Sequence, residues 1–216
     1  MTSSEERAAR LAANREAREE KKAAYLRGVA DGYVERFRAA GGQEAAALAR
    51  SVHAEIDGVL ERDRGRSAES SRIRCGKGCS HCCHGPVEIW PHEAALLVEG
   101  ARESGVTLDR ARLERQGGHT IESWREQPPA ERACVFLGDD GACRVYAFRP
   151  NACRKLLVVS DPALCDAGRH PPDEVERWFS WESEMLETAA LEVFGAALMP
   201  RALLAALAGA PSGESP

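Results

Sequence analysis

The first third of the chain carries two apolar stripes at helical spacing. Residues 3–39 form a charged, alanine-rich segment whose second half places large apolar side chains on one face: Leu26, Val29, Tyr33 and Phe37. Gly41-Gly42 interrupts the pattern, and residues 43–63 then repeat it with Leu48, Val52, Ile56 and Val59. These stripes predict a helical hairpin over residues 1–66. Its charged first half is interpreted either as a solvated extension or as a surface for a protein partner.

The pattern changes after this hairpin. Residues 64–73 are polar and predict a linker. Val87-Glu88-Ile89-Trp90 alternates like a short strand, and Pro91 suits the first turn of the helix that follows it. A further helical stretch at about 108–126 is interrupted at Gly117-Gly118.

Residues 134–148 predict a β-hairpin, because two apolar runs flank the turn Asp139-Asp140-Gly141. Pro171-Pro172 then opens a segment whose apolar spacing predicts one long helix over 172–198. The fold class is therefore mainly α, a helical domain around a cysteine-rich core with a short β-hairpin. We expect three regions: the N-terminal hairpin at 1–66, the cysteine core at 67–170, and a C-terminal helix and tail at 171–216 that pack on the core.

The net charge and the lengths of the apolar runs argue against some classes of function. The chain has 216 residues, 29% of them charged and 6% aromatic, and a formal net charge of −5. A negative chain is not drawn to a phosphate backbone, so no nucleic-acid partner is expected. No apolar run approaches the roughly 20 residues that span a bilayer, and the N-terminus lacks the apolar stretch of a secretion signal. We therefore expect no membrane association and a cytoplasmic location, where a disulfide framework is unfavourable.

Eight cysteines, all within the stretch 75–165, dominate the chemistry: Cys75, Cys79, Cys82, Cys83, Cys134, Cys143, Cys153 and Cys165. The first four are so close together that one loop can present several sulfurs to one metal. Thiolates are strong ligands for zinc and for iron–sulfur clusters, so all eight are candidate metal ligands. Spacing alone leaves open two Cys₄ sites, one cluster with a second structural site, or a polynuclear site with bridging thiolates.

The residues around the thiols suit a metal site. Gly76 and Gly78 favour a tight loop that leads into a helical turn at about 79–84, and such a loop leaves backbone N–H groups close to sulfur. Several basic residues could offset thiolate charge: Arg72, Arg74, Lys77, Arg144, Arg149, Arg154 and Lys155.

Two further features of the cysteine segment bear on its function. Four histidines are candidate auxiliary ligands: His81, His84, His92 and His170. The spacing Cys75-x₃-Cys79-x₂-Cys82 also occurs in radical-SAM enzymes. Those enzymes build their site into a barrel of alternating strands and helices, which this chain does not show.

The order of motifs is specific. The chain carries, in sequence, Lys77-Gly78-Cys79-Ser80-His81-Cys82-Cys83, Trp90-Pro91-His92-Glu93-Ala94, Cys134-Val135-Phe136-Leu137, Gly141-Ala142-Cys143-Arg144-Val145-Tyr146, Arg149-Pro150, Cys153-Arg154 and Cys165. Over about residues 74–166 these motifs resemble the bacterial YkgJ-type cysteine-cluster family, also called the CxxCxxCC domain. Three residues separate Cys75 from Cys79, where the family's name implies two.

The resemblance implies that the eight cysteines bind zinc or iron, with a [4Fe-4S] cluster as one form of the iron. The role of the metal would be structural or in metal handling. Flagellin lysine N-methylases share a similar cysteine cluster, so an iron–sulfur-dependent modifying enzyme is the alternative, and catalytic residues stay unassigned. The expected partners are a metal ion and, through the N-terminal helix, a protein.

Overall fold

Helices make up most of the fold. The computed structural model describes residues 3–209, with side chains from residue 6 onward. Its α-helices are α1 (Ser3–Ala39), α2 (Ala45–Arg66), α3 (Pro91–Glu103), α4 (Arg110–Gly117), α5 (Ile121–Arg125), α6 (Pro129–Arg132), α7 (Asn151–Lys155), α8 (Trp181–Phe194) and α9 (Met199–Leu207). The mainly α class is confirmed. No helix in the described range is long and apolar enough to cross a bilayer, and the predicted tail lies outside that range after residue 209.

Two small antiparallel sheets join distant parts of the chain. Strand β1 (Glu88–Ile89) pairs with β4 (Ala197–Leu198), so the strand expected after the first four cysteines is present. Strand β2 (Leu157–Val158) pairs with β3 (Arg177–Trp178). Both sheets fasten the C-terminal region to the segment that carries the cysteines.

The hairpin predicted at 134–148 is present in reduced form. Leu137 and Cys143 form a single antiparallel bridge, and the Gly138 amide donates to the Ala142 carbonyl across the turn at 2.9 Å. On the other side of the bridge the Arg144 amide donates to the Phe136 carbonyl at 2.9 Å, and beyond it the Val135 carbonyl accepts from the Arg144 side chain at 2.9 Å. The Cys134 amide donates to the Cys83 carbonyl at 2.7 Å, so the start of this segment is bonded to the first cysteine run.

The single helix predicted over 172–198 is wrong. A 3-10 turn at Pro172–Glu174 and strand β3 come first, and α8 begins only after Ser180. Trp178 is buried, and its indole N–H donates to the Ser67 hydroxyl at 3.2 Å. Burial of this side chain and pairing with β2 outweigh the helical spacing of the apolar residues, since local propensity is a weak preference beside tertiary contacts.

The apolar residues form two clusters that share α3. The first cluster joins α1, α2, α3 and α8, and the second joins α3, α4, the reduced hairpin and α9. Leu96 belongs to the first cluster and Leu97 to the second, because consecutive residues on a helix point about 100° apart. Helix α3 is therefore the shared wall of the two clusters.

A buried polar group fixes α7 against this wall. The Glu93 carboxylate is 1% exposed and accepts a hydrogen bond from the backbone N–H of Asn151 at 2.6 Å. The same carboxylate lies 3.0 Å from His53 Nε2. Burial raises the pKa of Glu93 to about 7 and lowers the pKa of His53 to about 3. Glu93 therefore anchors the first residue of α7, the helix that carries Cys153.

Two helix glycines should respond in opposite directions to alanine. A Cβ at Gly100 in α3 would lie 2.3 Å from Phe148 Cγ, whereas one at Gly58 in α2 would meet no atom within 4 Å. We expect Gly58→Ala to stabilise the protein by about 0.5–1 kcal/mol through helix propensity. Gly100→Ala should destabilise it by roughly 1–3 kcal/mol through overpacking. Thermal unfolding measures both, and a raised melting temperature for Gly100→Ala would contradict this packing.

Glu93→Gln should change how stability depends on pH. The ordinary pKa of a glutamate is 4.5, and in the folded state the pKa of Glu93 is about 7. Between these two values the folded state holds the Glu93 proton and the unfolded state releases it. Wild-type stability is therefore present at low pH and lost as pH rises through this window. Relative to Glu93→Gln, the wild type should lose about 3 kcal/mol between pH 5 and pH 8 in urea unfolding. The exposed Glu99→Gln is the control, and parallel curves for all three proteins would refute the assignment.

Candidate metal centre

The cysteines lie in short, irregular segments. Cys82 and Cys83 occupy a 3-10 turn at His81–His84, which confirms the loop and helical turn expected there. Cys153 lies in α7, and Cys165 ends a 3-10 turn at Pro162–Cys165. The other four lie in non-helical backbone: Cys75, Cys79, Cys134 and Cys143.

One cavity of about 190 Å³ collects most of the thiols. Seven cysteines line it: Cys75, Cys79, Cys82, Cys83, Cys134, Cys143 and Cys153. Cys165 instead lines a neighbouring open cleft of about 470 Å³, together with Cys82 and Cys153. The fold therefore brings the first four cysteines of the chain together with the four that follow them. Cys82 and Cys153 line both spaces and form the wall between the cavity and the cleft.

The thiols line this cavity without converging on one point. All eight cysteines are free and only partly buried, although free cysteine is among the most buried residue types. No three His, Cys, Asp or Glu side chains within residues 3–209 are already arranged to hold an ion. Metal binding would therefore require the sulfurs to turn inward from the walls of the cavity.

Cys82 affects the pKa of several other cysteines. A hydrogen bond with Cys83, together with burial, raises the pKa of the Cys82 thiol. Burial also raises the pKa of Cys134 and of Cys165 to about 12, and in each case the nearby Cys82 adds to the shift. Free thiols in this environment keep their protons near neutral pH, so a metal cation would have to displace protons to bind them.

Some protein groups favour the thiolate form. The Val158 amide in β2 donates a hydrogen bond to Cys75 Sγ at 3.2 Å. Arg149 lines the cavity, and its guanidinium carbon lies 3.9 Å from the centre of the Tyr146 ring. The charge of Arg149 lowers the pKa of Cys82, although the Cys83 hydrogen bond and burial raise it by more. These donors and charges would offset the negative charge of several thiolates.

Of the seven basic residues expected near the thiols, three line the cavity or the cleft, whereas Arg72, Arg74, Lys77 and Arg144 line neither. Arg149 and Arg154 line the cavity, as does Arg64, which sequence reasoning missed. Lys155 lines the cleft, where it forms ion pairs with the half-buried Glu184 and the buried Glu187 of α8. Arg72 points elsewhere and pairs with Glu176 at 3.1 Å.

The candidate histidine ligands do not take part in the site. None of the four side chains lines the cavity or the cleft. The His92 ring packs against the Phe194 ring with centroids 4.2 Å apart, and His170 pairs with Glu174 at 3.0 Å. The cavity lining contains no histidine or carboxylate at all. Such an all-sulfur donor set fits zinc or iron–sulfur chemistry, which soft thiolate ligands select.

Arg132 connects three cysteine segments and was missed in the sequence. Its side chain is 3% exposed and donates to the His84 carbonyl at 3.3 Å and to Asp166 Oδ1 at 2.8 Å. His84 follows Cys83, Asp166 follows Cys165, and Arg132 itself precedes Cys134 by two residues. A Cβ at Gly168 would lie 2.2 Å from the guanidinium carbon, so only glycine permits this close approach.

Further long polar side chains hold the same loops. Gln116 donates to the carbonyls of Glu131 and Ala133 at 2.6 and 2.9 Å. Arg154, which is also buried, donates to the Arg149 carbonyl at 2.8 Å and to the Ala147 carbonyl. Most of the cysteine segments are thus held by side-chain bonds to the backbone around the thiols, whereas Cys153 is positioned by α7.

Comparison with known proteins agrees with this site. Residues 74–173 match the model of the CxxCxxCC family, described as a putative zinc- or iron-chelating domain. No curated protein and no solved structure matches the chain. The matched range contains all eight cysteines, Glu93 and Arg132, and excludes α1, α2 and α8. Residues 74–173, which carry every cysteine of the cavity, are therefore similar to the CxxCxxCC domain.

Proposed function

We propose that this chain binds zinc or iron through the thiolates of its eight cysteines. The observation that supports this most strongly is the shared cavity, where seven cysteines from distant segments meet without a histidine or carboxylate. The eighth ligand, Cys165, would reach the metal from the adjoining cleft, where it lies beside Cys82 and Cys153. A reducing compartment such as the cytoplasm would keep these thiols free to bind.

The proposed role of the metal is structural or in metal handling. A structural role is supported by the position of the cavity, because Leu97 and Phe136 of the second apolar cluster also line it. Bound metal would then tie loosely structured segments to the helices around them, as it does in small zinc domains. A handling role is supported by the cleft, which gives solvent access to Cys82 and Cys153.

The cleft also supports an enzymatic alternative. It is large enough for a small substrate group, and Cys82 and Cys153 separate it from the cavity. An iron–sulfur-dependent modifying enzyme would need such access to its cluster. Iron with broad visible absorption would favour this alternative, and colourless protein with stoichiometric zinc would favour the structural or handling role.

Cys82→Ser and Cys83→Ser should each lose most of the bound metal. Both cysteines line the cavity, and serine is a poor ligand for soft metals. Elemental analysis of protein purified without oxygen measures metal per chain. His81→Ala is the matched control, since His81 belongs to the same turn but does not line the cavity. Full metal content in both serine variants would overturn the proposed ligands.

Arg132→Lys should weaken metal binding although no ligand is altered. An ammonium group lacks the planar fork of Arg132, whose Nε donates to the Gln127 carbonyl while Nη1 donates to the His84 carbonyl and to Asp166. Loss of such support around a metal site typically costs about 10- to 100-fold in affinity. A competition titration with a chromogenic chelator measures this affinity. Arg169→Lys, which alters a 72% exposed partner of the same Asp166, should change it little. Equal effects of the two substitutions would contradict the positioning role of Arg132.

A further inference from the structure

The first half of α1 projects from the rest of the fold. Every residue from Glu6 to Lys22 is exposed, whereas Phe37 near the end of the same helix is fully buried. We call residues 6–22 the overhang. A helix that is polar all round gains nothing from burial in its own fold, so its side chains are available to another molecule.

Charges on the overhang are segregated by sign. At 3.6 residues per turn, its acidic residues fall on one side: Glu6, Glu16, Glu19 and Glu20. Its basic residues fall on the other side: Arg7, Arg10, Arg15, Arg18, Lys21 and Lys22. We call the second side the basic face, and it also carries Leu11.

This segregation of charge does not stabilise α1 as an isolated helix. It places more like charges than opposite charges one turn apart, as in Arg18 with Lys22 and Glu16 with Glu20 against Glu6 with Arg10, and like pairs destabilise a helix. Between side chains of the overhang, which the structure describes in full, there is no ion pair. A purely solvated helix is better stabilised by alternating charges that pair at this spacing. The arrangement therefore suits contact with a partner on one side.

The basic face leads into a group of exposed aromatic rings. Lys22 Nζ lies 4.4 Å from the centre of the Trp181 ring, and Tyr25 follows one turn later. Tyr25, Phe179 and Trp181 are 68%, 42% and 46% exposed, and we call them the aromatic patch. They border an open groove between α1, α2 and the start of α8. Tyrosine, tryptophan and arginine are the residues that dominate binding energy at protein interfaces.

We propose that the basic face and the aromatic patch form one docking surface for an acidic segment of another protein. Carboxylates along the partner would pair with Arg7, Arg15 and Arg18, while its apolar side chains would cover Leu11 and the aromatic patch. This surface lies outside the matched domain, so it adds a protein contact to metal binding.

Nucleic acid fits this surface less well than an acidic protein. Base stacking needs free ring faces, but Lys22 covers Trp181 and Arg177 lies 5.7 Å from the centre of the Phe179 ring.

Two other partners are also disfavoured. A membrane-surface helix needs an apolar face, and Leu11 is the single large apolar residue of the overhang. A second copy related by two-fold symmetry would set the basic face against itself.

The test compares two charge reversals on one helix. Arg18 lies on the basic face, and Arg27 is an exposed arginine about two and a half turns further along, on the opposite side. The probe is a labelled helical peptide with glutamates along one face, titrated against the full, metal-loaded chain at physiological salt. Arg18→Glu should weaken binding about tenfold or more, whereas Arg27→Glu, with the same change in net charge, should leave it within about twofold. Trp181→Ala should also weaken binding, and circular dichroism checks that every variant keeps its helix content.

Three outcomes would overturn the proposal. The first is equal binding of the peptide to the Arg18→Glu and Arg27→Glu proteins. The second is tighter binding to a single-stranded oligonucleotide or to anionic phospholipid vesicles than to the peptide. The third is a stable dimer in light scattering that Arg18→Glu dissociates, since the surface would then serve a second copy of the chain.

Discussion

A backbone carbonyl that is removed from water needs a hydrogen-bond donor, and the loops that carry the cysteines find few in regular secondary structure. Buried guanidinium and amide groups supply these donors. Arg132 donates to the carbonyls of Gln127 and His84, Arg154 to that of Arg149, and Gln116 to those of Glu131 and Ala133. Because these bonds fix the loops, seven thiols can line one cavity although they come from segments with little helix or strand. The two small sheets and the shared wall of α3 then hold the loops between the apolar clusters.

The same arginines also set the electrostatics of the proposed site. A guanidinium stays charged at any pH a protein meets, so Arg149 and Arg154 place fixed positive charge beside the cavity. Burial and neighbouring thiols raise the pKa of most of the cysteines, which keeps them protonated while they are unligated. A bound metal would exchange those protons for its own charge, and the arginines would balance the excess of thiolates. The architecture therefore favours a thiolate metal centre without fixing the metal.

Local patterns predicted the first four helices, and long-range contacts explain the failures. Helices α1 to α4 follow from apolar periodicity and from glycine and proline breaks, and the density of Cys75 to Cys83 is the sequence signal for the proposed site. The segment 172–198 was predicted wrongly because burial of Trp178 and its pairing with β2 override helical spacing. Arg132 gave no signal in the sequence, since its partner Asp166 is distant along the chain and a buried arginine has no distinctive motif. The segregated charges of α1 were readable from the sequence, but their meaning depends on the exposure of the overhang.

The atoms that coordinate the proposed metal would show whether the cysteines are its ligands. X-ray absorption at the zinc and iron edges, on full-length protein purified without oxygen, reports the atoms that contact the metal. We expect a shell of sulfur alone at about 2.3 Å. A shell dominated by nitrogen or oxygen, or protein without bound zinc or iron, would contradict it.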